Sequence, residues 1–332
     1  MHVGFIGAGS WGTTLAISLA EEGHDVALWA HGAEQQQRLQ AERVNALYLP
    51  DIPFPPSLSV ISDVVDAARA DVLVIATPTQ FIRQTLEPID PALLAGKTVV
   101  SASKGIEQGS LMRISELLEE TMELPAERFV CLSGPSHAEE VARRIPTTLV
   151  AASPSTRSAE LVQTLFTRDS LRVYTSTDLL GVELGGSLKN VIALCAGIVD
   201  GLGFGDNTKA ALITRGLAEI TRLGTSLGAG AQTFSGLSGL GDLVVTCTSR
   251  HSRNRFVGER IGQGHLLQDV IADMRMVAEG VTTTKSAYQL ARQHGVEMPI
   301  TNEVYRILFE SKDARTATHE LMTRQSKNEI WM

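Results

Sequence analysis

The chain has 332 residues, 43% of them apolar and 20% charged, which suits a globular protein with sizeable cores. As a soft prior, that length means about two domains of roughly 100–200 residues. A net charge of −8 argues against a general nucleic-acid or anionic-membrane surface, so any anionic ligand needs a local basic patch.

The three cysteines, Cys131, Cys195 and Cys247, are far apart and odd in number. Neither a disulfide framework nor a zinc-type spacing is indicated. No two histidines lie within four residues of each other, so no helical metal pair is expected. The opening "MHVGFIGAGSWG" enters a strand pattern at once, with no basic leader. No apolar run reaches the ~20 residues of a spanning helix. A reducing, cytoplasmic compartment and no membrane insertion are expected.

"HVGFIG" (2–7) is a short apolar strand ending in glycine, and Thr13 to Glu22 reads as a helix stopped by Gly23. "DVALWA" (25–30) is a second strand. "DVLVIATP" (71–78), "KTVVSAS" (97–103), "RFVCLSG" (128–134), "TTLVAAS" (147–153) and "LRVYTS" (171–176) repeat the form. Helical patterns such as "LMRISELLEETM" (111–122) lie between several of them. This alternation predicts a doubly wound parallel α/β sheet of Rossmann type, covered on both faces. After about residue 178 the spacing becomes helical, with no clear strands. The expected division is therefore residues 1–178, a dinucleotide-binding domain, and 179–332, an all-α domain.

Gly7, Gly9 and Gly12 form GxGxxG, with Ser10 and Trp11 between the last two. The motif directly follows a strand and opens a helix, the context in which backbone N–H groups cradle a pyrophosphate. An acid that reads the ribose is expected at the end of the second strand. Here that place holds Trp29-Ala30-His31-Gly32, with no carboxylate before Glu34. His31 tolerates a 2′-phosphate, which leans toward NADP or toward use of either cofactor; alternatively it is a plain surface histidine.

Ligands of open α/β sheets bind beyond the carboxyl ends of strands. Lys104 lies just past one strand, and Gly134 and Ser136 past the next. Ser136 and Glu139 also have capping-box spacing, and a cap and a ligand contact can coexist. Further on, "SGLSGLGDLVVTCTSRHSRNRFVGER" gathers Arg250, Arg253 and Arg255 with no acid between Asp242 and Glu259. With Ser252 and Asn254 this is a candidate phosphate site, since arginine pairs bidentately with phosphate oxygens; a solvated basic loop is the bland alternative. Asp242 either orients a lysine or a substrate hydroxyl or caps a helix.

"GVELGGSLKNVIALCAGIV" (181–199) reads as a helix buried on most sides, with Glu183 and Lys189 its only charges. Of the i±3 and i±4 neighbours of Lys189, Gly185, Gly186 and Ala193 are small and leave a hollow for a ligand or another backbone. A lysine there either snorkels to the surface or exchanges a proton with a carbonyl oxygen during hydride transfer.

"GAGSWGTTLA", "ASKG", "SGPSHAEEV", "GVELGGSLKNVIAL", "GFGDNTKAALITRGLAE", "GLGDLVVTCTSRHSRNRFVG" and "VAEGVTTTK" together resemble the bacterial NAD(P)-dependent glycerol-3-phosphate dehydrogenases over nearly the whole chain. The resemblance implies interconversion of dihydroxyacetone phosphate and sn-glycerol 3-phosphate for phospholipid synthesis, NAD or NADP as cofactor, and a homodimer. It implies Lys189 as proton donor and acceptor. It implies substrate contacts at Lys104, Gly134, Ser136, Asp242, Ser252, Arg253 and Asn254. Cofactor contacts would fall on Ser10, Trp11, His31, Lys104, Ala138, Arg253, Val277 and Glu279. Residues 11 and 137 vary within such proteins. Two rival readings stand beside this one: a dehydrogenase for a non-phosphorylated hydroxy acid, which the arginine loop argues against, and a redox-sensing module without turnover, which needs neither Lys189 nor a phosphate site.

Overall fold

The computed structural model describes residues 1–274, 276–326, 328 and 329. Its strands are β1 (His2–Ile6), β2 (Asp25–Trp29), β3 (Val44–Asn45), β4 (Leu49–Pro53) and β5 (Leu58–Ile61). They continue with β6 (Val72–Ile75), β7 (Thr98–Ser101), β8 (Phe129–Ser133), β9 (Thr147–Ala152) and β10 (Leu171–Ser176). Among them run helices α1 (Ser10–Glu21), α2 (Ala33–Glu42), α3 (Val64–Ala68), α4 (Ile82–Leu86), α5 (Ile114–Met122), α6 (Ala138–Ala142) and α7 (Thr156–Phe166). Eight strands make one sheet in the order β10-β9-β8-β7-β6-β1-β2-β5; β3 and β4 form a separate antiparallel ribbon.

The strands read from their apolar runs all form. β6, β7 and β8 are buried at every residue, because helices cover both faces of the sheet. The chain winds from β1 through β2 to β5, then crosses to β6 on the other side of β1. This reversal opens a crevice at the carboxyl ends of β1 and β6, where open α/β sheets bind ligands. The sheet is parallel-dominated, as expected, with one reversed joint: β9 runs antiparallel to β8, with Cys131 opposite Ala152, while β10 is parallel to β9. The β8–β9 connection carries the five-residue α6, which packs on α1.

The rest is helical: α8 (Leu179–Gly201), α9 (Asp206–Ser226), α10 (Ala231–Phe234), α11 (Asp242–Thr248) and α12 (Arg253–Gly262) come first. They are followed by α13 (Leu267–Ala272), α14 (Glu279–Gln293), α15 (Pro299–Phe309) and α16 (Ala314–Met322). Every residue of α8 from Gly181 to Val199 is buried, under α9, α11, α12 and α14. By length and mean hydropathy (1.5) α8 would suit a membrane span, but that window is wholly enclosed by protein, so it is a core helix. α8 and α12 touch backbone to backbone: a Cβ on Gly258 would lie 1.9 Å from the Leu194 carbonyl oxygen. This close approach fixes α12, and with it Arg253, against the helix of Lys189.

Both charges in the enclosed stretch of α8 from Gly181 to Val199 have partners. Glu183 ties α8 to the start of α5, accepting from Arg113 Nη1 (2.6 Å), Ser115 N (2.9 Å) and Ser115 Oγ (2.6 Å). Burial raises its pKa, and the Arg113 charge opposes that. Lys189 takes part in a different cluster.

Candidate active site

β1 passes through Gly7 straight into α1. Gly7 has φ +114°, and a Cβ there would meet the Ala76 carbonyl carbon at 2.7 Å; a Cβ on Gly12 would meet the Gly7 oxygen at 2.0 Å. Only glycine allows this turn and this helix to sit so close. Above Gly9 the space is open: among the described residues nothing lies within 4 Å of where a Cβ would stand. The first turn of α1, at Ser10 and Trp11, has no side-chain cap and no acidic residue. Its N–H groups are left to an anion, so the residues present fit a dinucleotide pyrophosphate.

Other predicted cofactor residues lie around this crevice at different depths. His31 is exposed beyond β2, edge-on to Trp29 at 6.0 Å. Ala138 opens α6, and its carbonyl accepts from Thr14 Oγ1 of α1 at 3.3 Å. Val277 is exposed. Glu279, the first residue of α14, reaches from the helical domain to the carboxyl end of β6 and accepts from Thr79 N at 2.9 Å. Burial raises its pKa, against the Thr79 N–H and the charge of Arg253.

At the centre one carboxylate joins two ammonium groups. Asp242, in the first turn of α11, accepts from Lys104 Nζ at 2.6 Å and, through its other oxygen, from Lys189 Nζ. Lys104 also donates to the Gly134 carbonyl (3.0 Å), and Lys189 to Thr246 Oγ1 (2.8 Å). The Thr246 hydroxyl in turn donates to the Asp242 carbonyl (2.6 Å). Asp242 is 1% exposed and Lys189 6%, so neither leans on solvent. The helix-cap alternative for Asp242 is not taken, since its carboxylate meets side chains. Burial pushes the Asp242 pKa up, but the two lysines outweigh it and hold it below the usual range. Burial brings Lys189 down to about 8; Asp242 opposes this and Lys104 adds to it.

The hollow expected beside Lys189 is filled. A Cβ on Gly185 would meet the Ser238 carbonyl oxygen at 2.8 Å, and one on Gly186 would meet Ser133 Oγ at 2.7 Å and the Lys104 stem at 3.5 Å. The two glycines admit a backbone and the second lysine. Gly134, with φ +131°, makes the turn that aims its carbonyl at Lys104. Ser136 Oγ donates back to Gly134 O at 3.1 Å. The capping box read for Ser136 and Glu139 does not form: the chain stays extended through His137, which is the N-cap, so α6 starts one residue later than that spacing requires.

The arginine loop divides. Arg255 pairs with Asp200 (2.7 Å) and Glu259 (3.3 Å) and donates to Ser249 O (3.1 Å), so it serves helix packing and leaves the proposed cluster. Arg253 is exposed at the start of α12, and its side chain forms no hydrogen bond or ion pair with the described residues. Ser252 caps α12, accepting from Arg255 N at 3.2 Å. Buried Asn254 donates to Asn190 Oδ1 and accepts from Gly280 N, both at 2.9 Å.

Two polar residues of this cluster escaped the sequence reading. Thr246 lies one turn after Asp242, an i,i+4 spacing that signals a shared face. Asn190 is the neighbour of Lys189 in an otherwise apolar stretch and sets the amide of Asn254.

The glycine cradle, the helical second domain and a buried lysine between them define a dinucleotide-dependent oxidoreductase of two domains. Models of the NAD-dependent glycerol-3-phosphate dehydrogenase N-terminus and C-terminus match residues 2–159 and 178–319. The chain belongs to that family. It is 55% identical over 332 residues, 99% of each chain, to the glycerol-3-phosphate dehydrogenase [NAD(P)+] of Geobacter sulfurreducens. It is 54% identical over 331 residues, again 99% of each, to that of Chlorobium luteolum. The crystal structure of glycerol-3-phosphate dehydrogenase from Coxiella burnetii superposes with TM-score 0.92 at 37% identity, covering 97% of this chain and 99% of that one.

Proposed function

We propose that this chain reduces dihydroxyacetone phosphate to sn-glycerol 3-phosphate with NADH or NADPH, reversibly, and that Lys189 exchanges the proton. The observation that carries this reading is the donor count at Lys189. An ammonium has three N–H donors, and Asp242 and Thr246 engage two. The third is left for a carbonyl oxygen. The nicotinamide, when bound, supplies hydride to the carbonyl carbon. Lys189 donates its proton to the oxygen as the hydroxyl forms, and Asp242 holds Lys189 charged and aimed. Lys104 likewise has one donor beyond Gly134 and Asp242, directed to the substrate. Arg253, with Ser252 and Asn254 at the start of α12, takes the phosphate, while Gly134 and Ser136 close the opposite wall. Gly7, Gly9, Ser10, Trp11, Gly12, His31, Ala138, Val277 and Glu279 hold the cofactor. The division between the two domains falls at residues 178/179. We further propose that the enzyme works in the cytoplasm, where its three unpaired thiols stay reduced and its product feeds phospholipid synthesis, and as a homodimer, both on the family likeness.

The test is the fall in absorbance at 340 nm with dihydroxyacetone phosphate against a panel of non-phosphorylated 2-keto acids. Turnover confined to the phosphorylated substrate supports the reading; turnover of the acids, or none at all, favours one of the two rivals.

Two expectations follow from individual residues. Arg253→Ala removes a charge-assisted contact worth roughly 1.5–3 kcal/mol, a drop of about 10- to 150-fold in kcat/KM for dihydroxyacetone phosphate. Part of that loss passes through the cofactor. Unchanged kinetics in folded protein would return Arg253 to the solvated surface. With no carboxylate at the end of β2, kcat/KM with NADPH should at least equal that with NADH. A preference for NADH above about tenfold, about 1.4 kcal/mol, contradicts the role given to His31.

A further inference from the structure

His137 and His251 have no role in the account above. His137 ends the segment of Gly134 and Ser136, at the N-cap of α6. His251 lies in the turn between α11 and α12, directly before Ser252. The two rings meet across the domain boundary, 5.7 Å between centroids and tilted by 50°. The Nε2 atom of His137 is enclosed without a hydrogen-bond partner among the described residues. The backbone of Val245 in α11 and the ammonium of Lys189 both act on the ring. One half-buried side chain of the first domain thus meets both the helix of Asp242 and Thr246 and the turn that leads to Arg253.

We propose that His137 is a positioning residue: packed on His251, it clasps the loop of Gly134 and Ser136 to the segment of Arg253, and the clasp loosens when His137 takes a proton. The proposal rests on the reading of Ser136 and Arg253 as substrate contacts. The charged and titratable groups around His137 are Lys189 from α8, His251 from the α11–α12 turn and Glu139 from its own helix. Burial first, then Lys189, holds its pKa below the usual histidine range, with Glu139 and the Val245 backbone opposing. The ring is therefore neutral at neutral pH and keeps the contact. As pH falls through its pKa, a cation forms beside Lys189 and His251, the loops separate, and KM rises.

The test compares KM and kcat for dihydroxyacetone phosphate in wild type, His137→Ala and His137→Phe from about pH 8 down to the lowest pH at which all three stay folded, since a pKa held below the usual histidine range is reached only toward that lower pH. At the higher pH, His137→Ala should raise KM about three- to tenfold, the range for loss of a ring pair, with kcat little changed. His137→Phe keeps a ring and should restore KM. The substrate phosphate, with a second pKa near 6, titrates alike for every variant. Wild type alone should therefore show an extra rise in KM at the lower pH, absent from His137→Phe. An unchanged KM in His137→Ala, or the same acid rise in His137→Phe as in wild type, overturns the proposal. If His137→Ala does not fold, the comparison of His137→Phe with wild type decides. Failure of wild type to turn over dihydroxyacetone phosphate would instead overturn the functional reading beneath it.

Discussion

Lys189→Met is expected to cut kcat by about 10²–10⁴, the usual range for a lost acid–base group, while the protein folds and binds NADPH nearly as before. Methionine keeps most of the stem volume in a site that is 6% exposed, so α8 keeps its packing against α11 and α12. It removes the proton and the ammonium, and Asp242 still has Lys104 as its counter-ion. The check is NADPH fluorescence titration beside steady-state rates on one preparation. A mutant within threefold of wild type would make Lys189 a structural cation. A mutant that fails to fold would locate its role in the ion cluster, and Asp242 would then carry the test.

Asp242→Asn should have a comparable effect by a different route. The amide is the same size, but it leaves Lys104 and Lys189 facing each other without their shared carboxylate. Removing one partner of a buried pair costs about 3–5 kcal/mol, so thermal stability should fall. Asp242 also raises the pKa of Lys189 against its burial. Without it the pKa falls below about 8, and less ammonium remains at neutral pH. Reduction at neutral pH should drop by about 10²-fold or more, while the pH limb of oxidation moves to lower pH by at least one unit, about 1.4 kcal/mol. A variant with lowered rates but an unmoved pH limb would mean that Asp242 positions the substrate without tuning Lys189.

The fold was legible where a local pattern has one structural solution. β6, β7 and β8 are short apolar runs between turn residues, and helices on both faces are what such runs require. β5 was missed because it lies at the sheet edge, half exposed, where the hydrophobic signal weakens. The reversed β8–β9 joint was missed because strand composition carries no direction. At the site, the charge of Lys189 stood out against an aliphatic helix, and Asp242 was foreseeable as its orienter. Arg253 and Arg255 look alike in sequence; only the fold brings Asp200 to Arg255 and leaves the Arg253 side chain without a hydrogen bond or ion pair among the described residues. Glu279 carried no local signal, since its contact with Thr79 joins residues 200 positions apart.

The role of Lys189 as the group that exchanges the proton is tested most directly by kcat/KM for sn-glycerol 3-phosphate oxidation against pH, since this ratio reports the free enzyme. Oxidation needs the neutral amine to accept the hydroxyl proton. If Lys189 exchanges the proton, log(kcat/KM) climbs with pH at a slope near one, as expected for a single ionisation, and levels off above about 8, where burial sets the Lys189 pKa. A profile that is flat or falling as pH rises toward that value would contradict it.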